Sequence, residues 1–318
     1  MNQHSKPALL RPFADKFAHT YSIVARDPNT GEMGVAVQSH WFSVGSLVTW
    51  AEAGVGAIAT QSFINVSYGP EGLELLRAGH TASEIVQKLT EADEGREVRQ
   101  LAIVDAQGNV AVHTGRGCVP AAGHQLGSTY SVQANLMLND RVWPAMAEAF
   151  EAGQGPLAER LVAALEGGQA VGGDIRGKQS AAILVVKGQA TGKVWEDRMI
   201  DLRVEDHADP VNELKRVLTL YRAYEYMNEG DKRMEANDVD GALTAYRAAE
   251  AIYPDNPEMP YWHAISLANA GRVDEALPML KAVFARSDNW RLLTERLPGA
   301  GLLMVSSADL ARILTLDR

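Results

Sequence analysis

The chain contains Thr20-Tyr-Ser-Ile-Val-Ala-Arg-Asp27, then Pro28-Asn-Thr-Gly31, then Glu32-Met-Gly-Val-Ala-Val-Gln-Ser-His40. Two apolar runs of strand length flank a Pro-Asn-Thr-Gly turn, the pattern of a β-hairpin. A third run, Val55-Gly-Ala-Ile-Ala-Thr60, carries Gln61 and Ser62 at its end. A threonine therefore opens the first strand of a sheet, with polar residues at the ends of neighbouring strands. That arrangement suits a hydroxyl nucleophile with amide donors nearby. The plainer reading of Thr20 is a β-branched residue opening a strand, and Ser22, on the same strand face, is the nearest alternative hydroxyl.

The blocks Tyr21–Pro28, Gly34–Val37, Trp50–Gly56, Ala59–Gln61, Ser67–Pro70 and Gly172–Ala181 resemble the DUF1028 family over roughly residues 19–190. The resemblance implies the four-layer αββα fold of N-terminal nucleophile (Ntn) hydrolases, an α+β class, with no agreed reaction attached to the family. An Ntn enzyme uses the first residue of its chain, whose free α-amine, with a pKa of about 7.7–8.0, is the base for its own side chain. Here residues 1–18 precede the domain, so Thr20 needs cleavage of the His19–Thr20 bond. We expect those residues to form a loose arm.

The resemblance also distributes roles. The Gln61 and Ser62 amides are expected to bind the oxyanion, in a loop after the third strand. Asp174 and Ser180, or Gln179, match the Asp and Ser that support the terminal amine. The strand over 128–138 brings Gln133 and Asn135 toward the nucleophile as substrate binders, the alternative being turn and edge chemistry. Ser39 and His40 end the second strand near Thr20; a histidine there is otherwise a surface or packed residue. Glu52 is either a functional carboxylate or a partner for Arg26. Gly172-Gly-Asp-Ile-Arg-Gly-Lys-Gln-Ser180 runs into an apolar strand, with Asp174 and Arg176 as fixed charges beside a ligand or as a loop salt-bridged to itself. The lysine of proteasome-like sites is missing, since none lies between Lys16 and Lys88.

Residues 208–318 lose strand runs and turn rich in Ala, Leu, Glu and Arg. Val239-Asp-Gly-Ala-Leu243 recurs as Val273-Asp-Glu-Ala-Leu277, placing Gly230 with Ala264, Ala242 with Ala276 and Tyr246 with Leu280. Small residues at these positions followed by a large one resemble the tetratricopeptide repeat. We therefore divide the chain into an extension (1–18), an Ntn-like domain (19–207) and an all-α, TPR-like domain (208–318). The helical domain is expected to mediate dimerisation or domain docking, giving a homodimer or higher homo-oligomer, or to bind a protein partner.

A net charge of −10, with 40 acidic against 30 basic residues and no basic run, disfavours nucleic acid and anionic membranes as partners. Cys118 stands alone, so no intramolecular disulfide forms, and His113, Cys118 and His124 match no compact metal-ligand spacing. We expect no metal and no cofactor. With no apolar run of about 18 residues and no secretory pattern, a cytoplasmic location is expected. Two functions follow: an Ntn amidohydrolase acting on a small amide, cyclic imide or lactam, or a non-catalytic scaffold whose repeat domain binds.

Overall fold

The computed structural model describes residues 16–316. The expected loose arm lies outside this range except for its last three residues, and these are not loose: Lys16–Ala18 form strand β1. β1 passes through His19 into β2 (Thr20–Arg26), which turns into β3 (Met33–Ser39). The turn closes as expected of its Asp-Pro-Asn-Thr sequence, the Asp27 carboxylate accepting from the Asn29 and Thr30 amides. A four-residue helix α1 (Gly45–Val48) and β4 (Thr49–Glu52) lead to β5 (Gly56–Ile64), then α2 (Tyr68–Arg77) and α3 (Ala82–Ala92). α3 begins at a capping box, in which the Thr81 hydroxyl accepts from the Glu84 amide and the Glu84 carboxylate accepts from the Thr81 amide. β6 (Arg99–Asp105) and β7 (Val110–Thr114) form a second hairpin. β8 (Gly123–Leu126) and β9 (Tyr130–Ala134), α4 (Val142–Ala152) and α5 (Leu157–Ala170), β10 (Ser180–Val186), the short α6 (Val194–Asp197) and β11 (Arg198–Val204) complete the domain.

The strands make two antiparallel sheets. One has the order β1-β5-β6-β7 with β4 also on β5; the other has the order β11-β10-β3-β2-β9-β8. Helices α2 and α3 pack on the first sheet, α4 and α5 on the second, and the sheets face each other. This is the α-β-β-α layering that the DUF1028 resemblance implies. Each sheet has one face on its partner and one under helices, which is why β2, β3, β5, β6 and β10 are buried along nearly their whole length.

The space between the sheets is of two kinds. One half is apolar, built from Val24, Val35, Val37, Ala57, Ala59 and Val104. The other half, toward the start of β2, is polar: Thr20, Ser22, Gln61, Gln100 and Gln133 are all shut off from solvent.

The chain divides into two compact units between Lys215 and Arg216, a boundary that falls within α7 (Pro210–Glu235). The second unit continues with α8 (Val239–Ile252), α9 (Glu258–Asn269), α10 (Val273–Phe284), α11 (Asp288–Arg296) and α12 (Ser307–Leu314). Its core contains the repeat positions Ala242, Tyr246, Ala264, Ala276 and Leu280. Gly230 explains its own identity: a Cβ there would lie 2.3 Å from the Tyr246 ring, so only glycine lets the two helices approach. Among the described residues no helix is long and apolar enough to cross a membrane.

Candidate active site

Antiparallel pairing brings the start of β2 against the end of β3, Thr20 opposite Ser39, and Ser39 in turn opposite Ser180. Thr20 is therefore at the rim of the second sheet with its side chain on the inter-sheet face, the face it shares with Ser22. It is fully buried in the continuous chain, covered on its N-terminal side by β1, whose Ala18 pairs with Ser62 of β5.

The peptide joining His19 to Thr20 is held tightly. The His19 carbonyl accepts from the Ser39 hydroxyl at 2.5 Å and from Arg176 Nη2 at 2.7 Å. Arg176 is fixed in turn by Asp174: Nε donates to Oδ1 at 3.0 Å, Nη2 to Oδ2 at 2.7 Å, and the Arg176 amide to Oδ1 at 2.9 Å. The buried Asp174 carboxylate also accepts from the His40 amide at 3.2 Å. A two-point guanidinium–carboxylate pair of this kind fixes direction as well as charge. The loop carrying it needs its glycines, since Gly173 and Gly177 have φ of 61° and 113°. The loop is salt-bridged to itself, and that bridge directs the Arg176 guanidinium at the carbonyl before Thr20.

The His19 side chain points into the same corner. Nδ1 is 2.8 Å from Asn135 Oδ1, and the ring stands edge-on to Phe63, centroids 5.2 Å apart at 89°. Asn135 Nδ2 donates to Gln100 Oε1 and, at 3.4 Å, to the Thr20 carbonyl. Its Oδ1 must therefore accept, so the His19 proton is on Nδ1. Burial, and secondarily the Arg176 charge, hold the imidazole below its ordinary pKa of 6.5 despite the Asn135 bond.

Beneath Thr20 a side-chain network bridges the sheets. Gln61 Nε2 donates to Gln100 Oε1 at 2.7 Å and reaches the carbonyls of Thr20 and Gln133 at 3.3 Å. Ser22 Oγ donates to Gln61 Oε1 and accepts from Gln133 Nε2, each at 2.6 Å. Gln100 Nε2 donates to Thr114 Oγ1 and to the Gly123 and Ala134 carbonyls. Gln38, fully buried on the opposite face of β3, has no hydrogen bond to its side-chain amide among the described residues.

Several expected sites stand differently. Gln61 and Ser62 do not follow the third strand; β5 runs on to Ile64, and both are paired with β6 in its interior. The polar pair does not end the strand because β1 supplies a partner there that the sequence does not announce. Ser62 has a φ of 75°, an unusual conformation for a residue with a Cβ. Gln61 touches Thr20 through its side chain, by way of the Thr20 carbonyl, rather than as an amide donor in a loop. The Ser180 hydroxyl donates to the Trp41 carbonyl and accepts from the Val44 amide, holding the turn after β3. Gln179 Nε2 donates to Asp206. Glu52 pairs with Arg77, not Arg26, and lines a separate cavity of about 610 Å³ between Trp50, Leu184 and Arg203. His19 and Gln100 are the residues the sequence reading passed over. The signal for Gln100 was present: one amide at the head of the apolar Leu101–Val104 run.

The comparisons with known proteins agree with this architecture. A family model described as "Family of unknown function (DUF1028)" matches residues 20–214, and a tetratricopeptide repeat model matches residues 233–296. No curated protein matches the chain. Among solved structures, a protein from Silicibacter pomeroyi titled as a DUF1028 member is 31% identical. That match covers 63% of this chain and 85% of the other, with a TM-score of 0.58. With a mixed α/β sandwich of antiparallel sheets, a TPR-like helical region and a family match over most of its length, the chain belongs to the DUF1028 family.

Proposed function

We propose that this protein is an Ntn-type amide hydrolase whose first substrate is its own His19–Thr20 peptide. One observation carries the reading: the carbonyl of that bond is gripped by a hydroxyl and a guanidinium, Ser39 and Arg176. Those are the donors a tetrahedral oxyanion requires, and Asp174 fixes the guanidinium in place so that little reorganisation is needed as charge develops.

In the first step the Thr20 Oγ–carbonyl carbon bond forms, the C–N bond breaks, and the hydroxyl proton passes to the departing nitrogen. Water then splits the resulting ester, releasing His19 as a carboxylate and leaving Thr20 with a free amine. That amine, partly neutral near its ordinary pKa of about 7.7–8.0, serves as base in later turnovers on external amides. The TPR-like region gives the protein a capacity for protein interaction, and self-association through it remains part of this reading.

The test is intact mass of the purified full chain over time. Appearance of a species beginning at Thr20, absent in Thr20→Ala, supports the proposal. Arg176→Lys should slow the cleavage by about 10²–10³, the usual cost of one oxyanion donor. A wild-type chain that keeps residues 1–19 under all conditions defeats it. The second reading, a non-catalytic scaffold working through its repeats, is favoured by the complete burial of Thr20 in the intact chain. That outcome would select it.

A further inference from the structure

Resting on the processing proposal, the structure assigns residues 16–19 a second identity: they are the site's own first ligand, and their contacts define what the mature enzyme takes. We infer that the substrates are extended peptides, or acyl groups like them, with a planar N–H donor on the residue before the cut.

Three contacts argue this. The backbone of β1 pairs antiparallel with β5 at Lys16–Ile64, Phe17–Phe63 and Ala18–Ser62. Removing the segment bares that edge beside Thr20, and an edge of free N–H and C=O groups is a template for another extended chain. The carbonyl position is set by Ser39 Oγ and Arg176 Nη2, neither of which leaves with the segment. The side-chain position is the subsite now filled by the His19 imidazole, bounded by the Phe63 ring and by Asn135 Oδ1.

Asn135 sets the chemistry of that subsite. Its amide nitrogen is committed to Gln100 and to the Thr20 carbonyl, so it offers only an acceptor. A group arriving there must donate. Imidazole does so, and a carboxamide can. A carboxylate brings a second acceptor, and an aliphatic group leaves a buried acceptor unmet. The group in the subsite stands perpendicular to the Phe63 ring, a contact that favours a flat group. A small lactam or cyclic imide would satisfy the carbonyl position but leave the strand edge of Ser62–Ile64 empty, so an extended chain is the better fit.

The experiment uses protein purified as the full chain and confirmed by mass to have processed itself. The probes are acetyl-Lys-Phe-Ala-Xaa aminomethylcoumarin amides with His, Gln, Glu or Leu at Xaa. The expected result is a kcat/KM for His at least about tenfold above Glu and Leu, with Gln between. Thermal shift with the acetyl-Lys-Phe-Ala-His acid gives a readout independent of turnover and is expected to stabilise the processed form. If the chain processes itself but the four amides are turned over alike or not at all, and the acid gives no shift, the subsite assignment fails while the processing reading stands. If the chain never cuts between His19 and Thr20, both fail together.

Discussion

The two halves of the space between the sheets are built on opposite principles. Around Val24, Val35, Ala57 and Val104 the sheets touch through apolar side chains, which need only fill volume. Around Ser22, Gln61, Gln100 and Gln133 they touch through amides, each of which must find a partner with the right geometry. The same two sheets, a few residues apart, could have been sealed with valine throughout. Amides that bridge them fix how the strand ends sit relative to one another, and the strand ends carry Thr20, Ser39 and the Asn135 acceptor. The apolar half holds the sandwich together, and the polar half holds the strand ends in register.

The sharpest way to break that contrast is Gln100→Leu. It removes the closest partner of Gln61 Nε2 and of Asn135 Nδ2 together, leaving each only its longer contacts to backbone carbonyls, at roughly 1–2 kcal/mol each, so chemical denaturation should show a loss of about 3 kcal/mol. Adding Gln61→Leu should then cost less than it does alone, because its chief partner is already gone. A double-mutant cycle is expected to give a coupling of about 1–2 kcal/mol. In the apolar half, Ile64→Val removes one methylene from a well-packed contact and should cost about 1 kcal/mol. If the two halves respond equally, the distinction between filling and fixing collapses.

The smallest expected effect is set by pH. Burial depresses the His19 pKa below 6.5, so its contribution to stability is present above 6.5 and is lost as pH falls through the folded value. Residues 16–19 should therefore loosen as pH drops below 6.5, seen as lower amide protection factors along β1 and β5 with little change in β3 or β10. An imidazole titrating above 6.5 by NMR would reverse the sign and remove the argument.

Much of this was legible from the chain alone, and the reason is locality. The Asp27–Gly31 turn, the capping box of Thr81 and Glu84, and the Gly230–Tyr246 spacing are all written within a few residues or one repeat. What stayed hidden depends on pairing across long sequence separation. Nothing in Lys16–Ala18 says that it will lie along Ser62–Ile64, and without that strand Gln61 and Ser62 look like a strand's end. The partner of Glu52 is Arg77, 25 residues away and on a helix, and no spacing rule picks it over Arg26. Gln61, Gln100, Gln133 and Asn135 were visible as polar residues in apolar strands. That they meet is a product of sheet stacking, which periodicity does not encode.

The lone cysteine brings a practical consequence. Cys118 is buried with its thiol donating to the Arg99 carbonyl at 3.3 Å, and burial pushes its pKa up, so it is poorly disposed to react with alkylating agents. Its neighbour Ser62 is where Ala18 is stitched to β5. The rate at which iodoacetamide adds one label to the protein therefore reports how often the Gly115–Cys118 turn parts from Arg99 of β6.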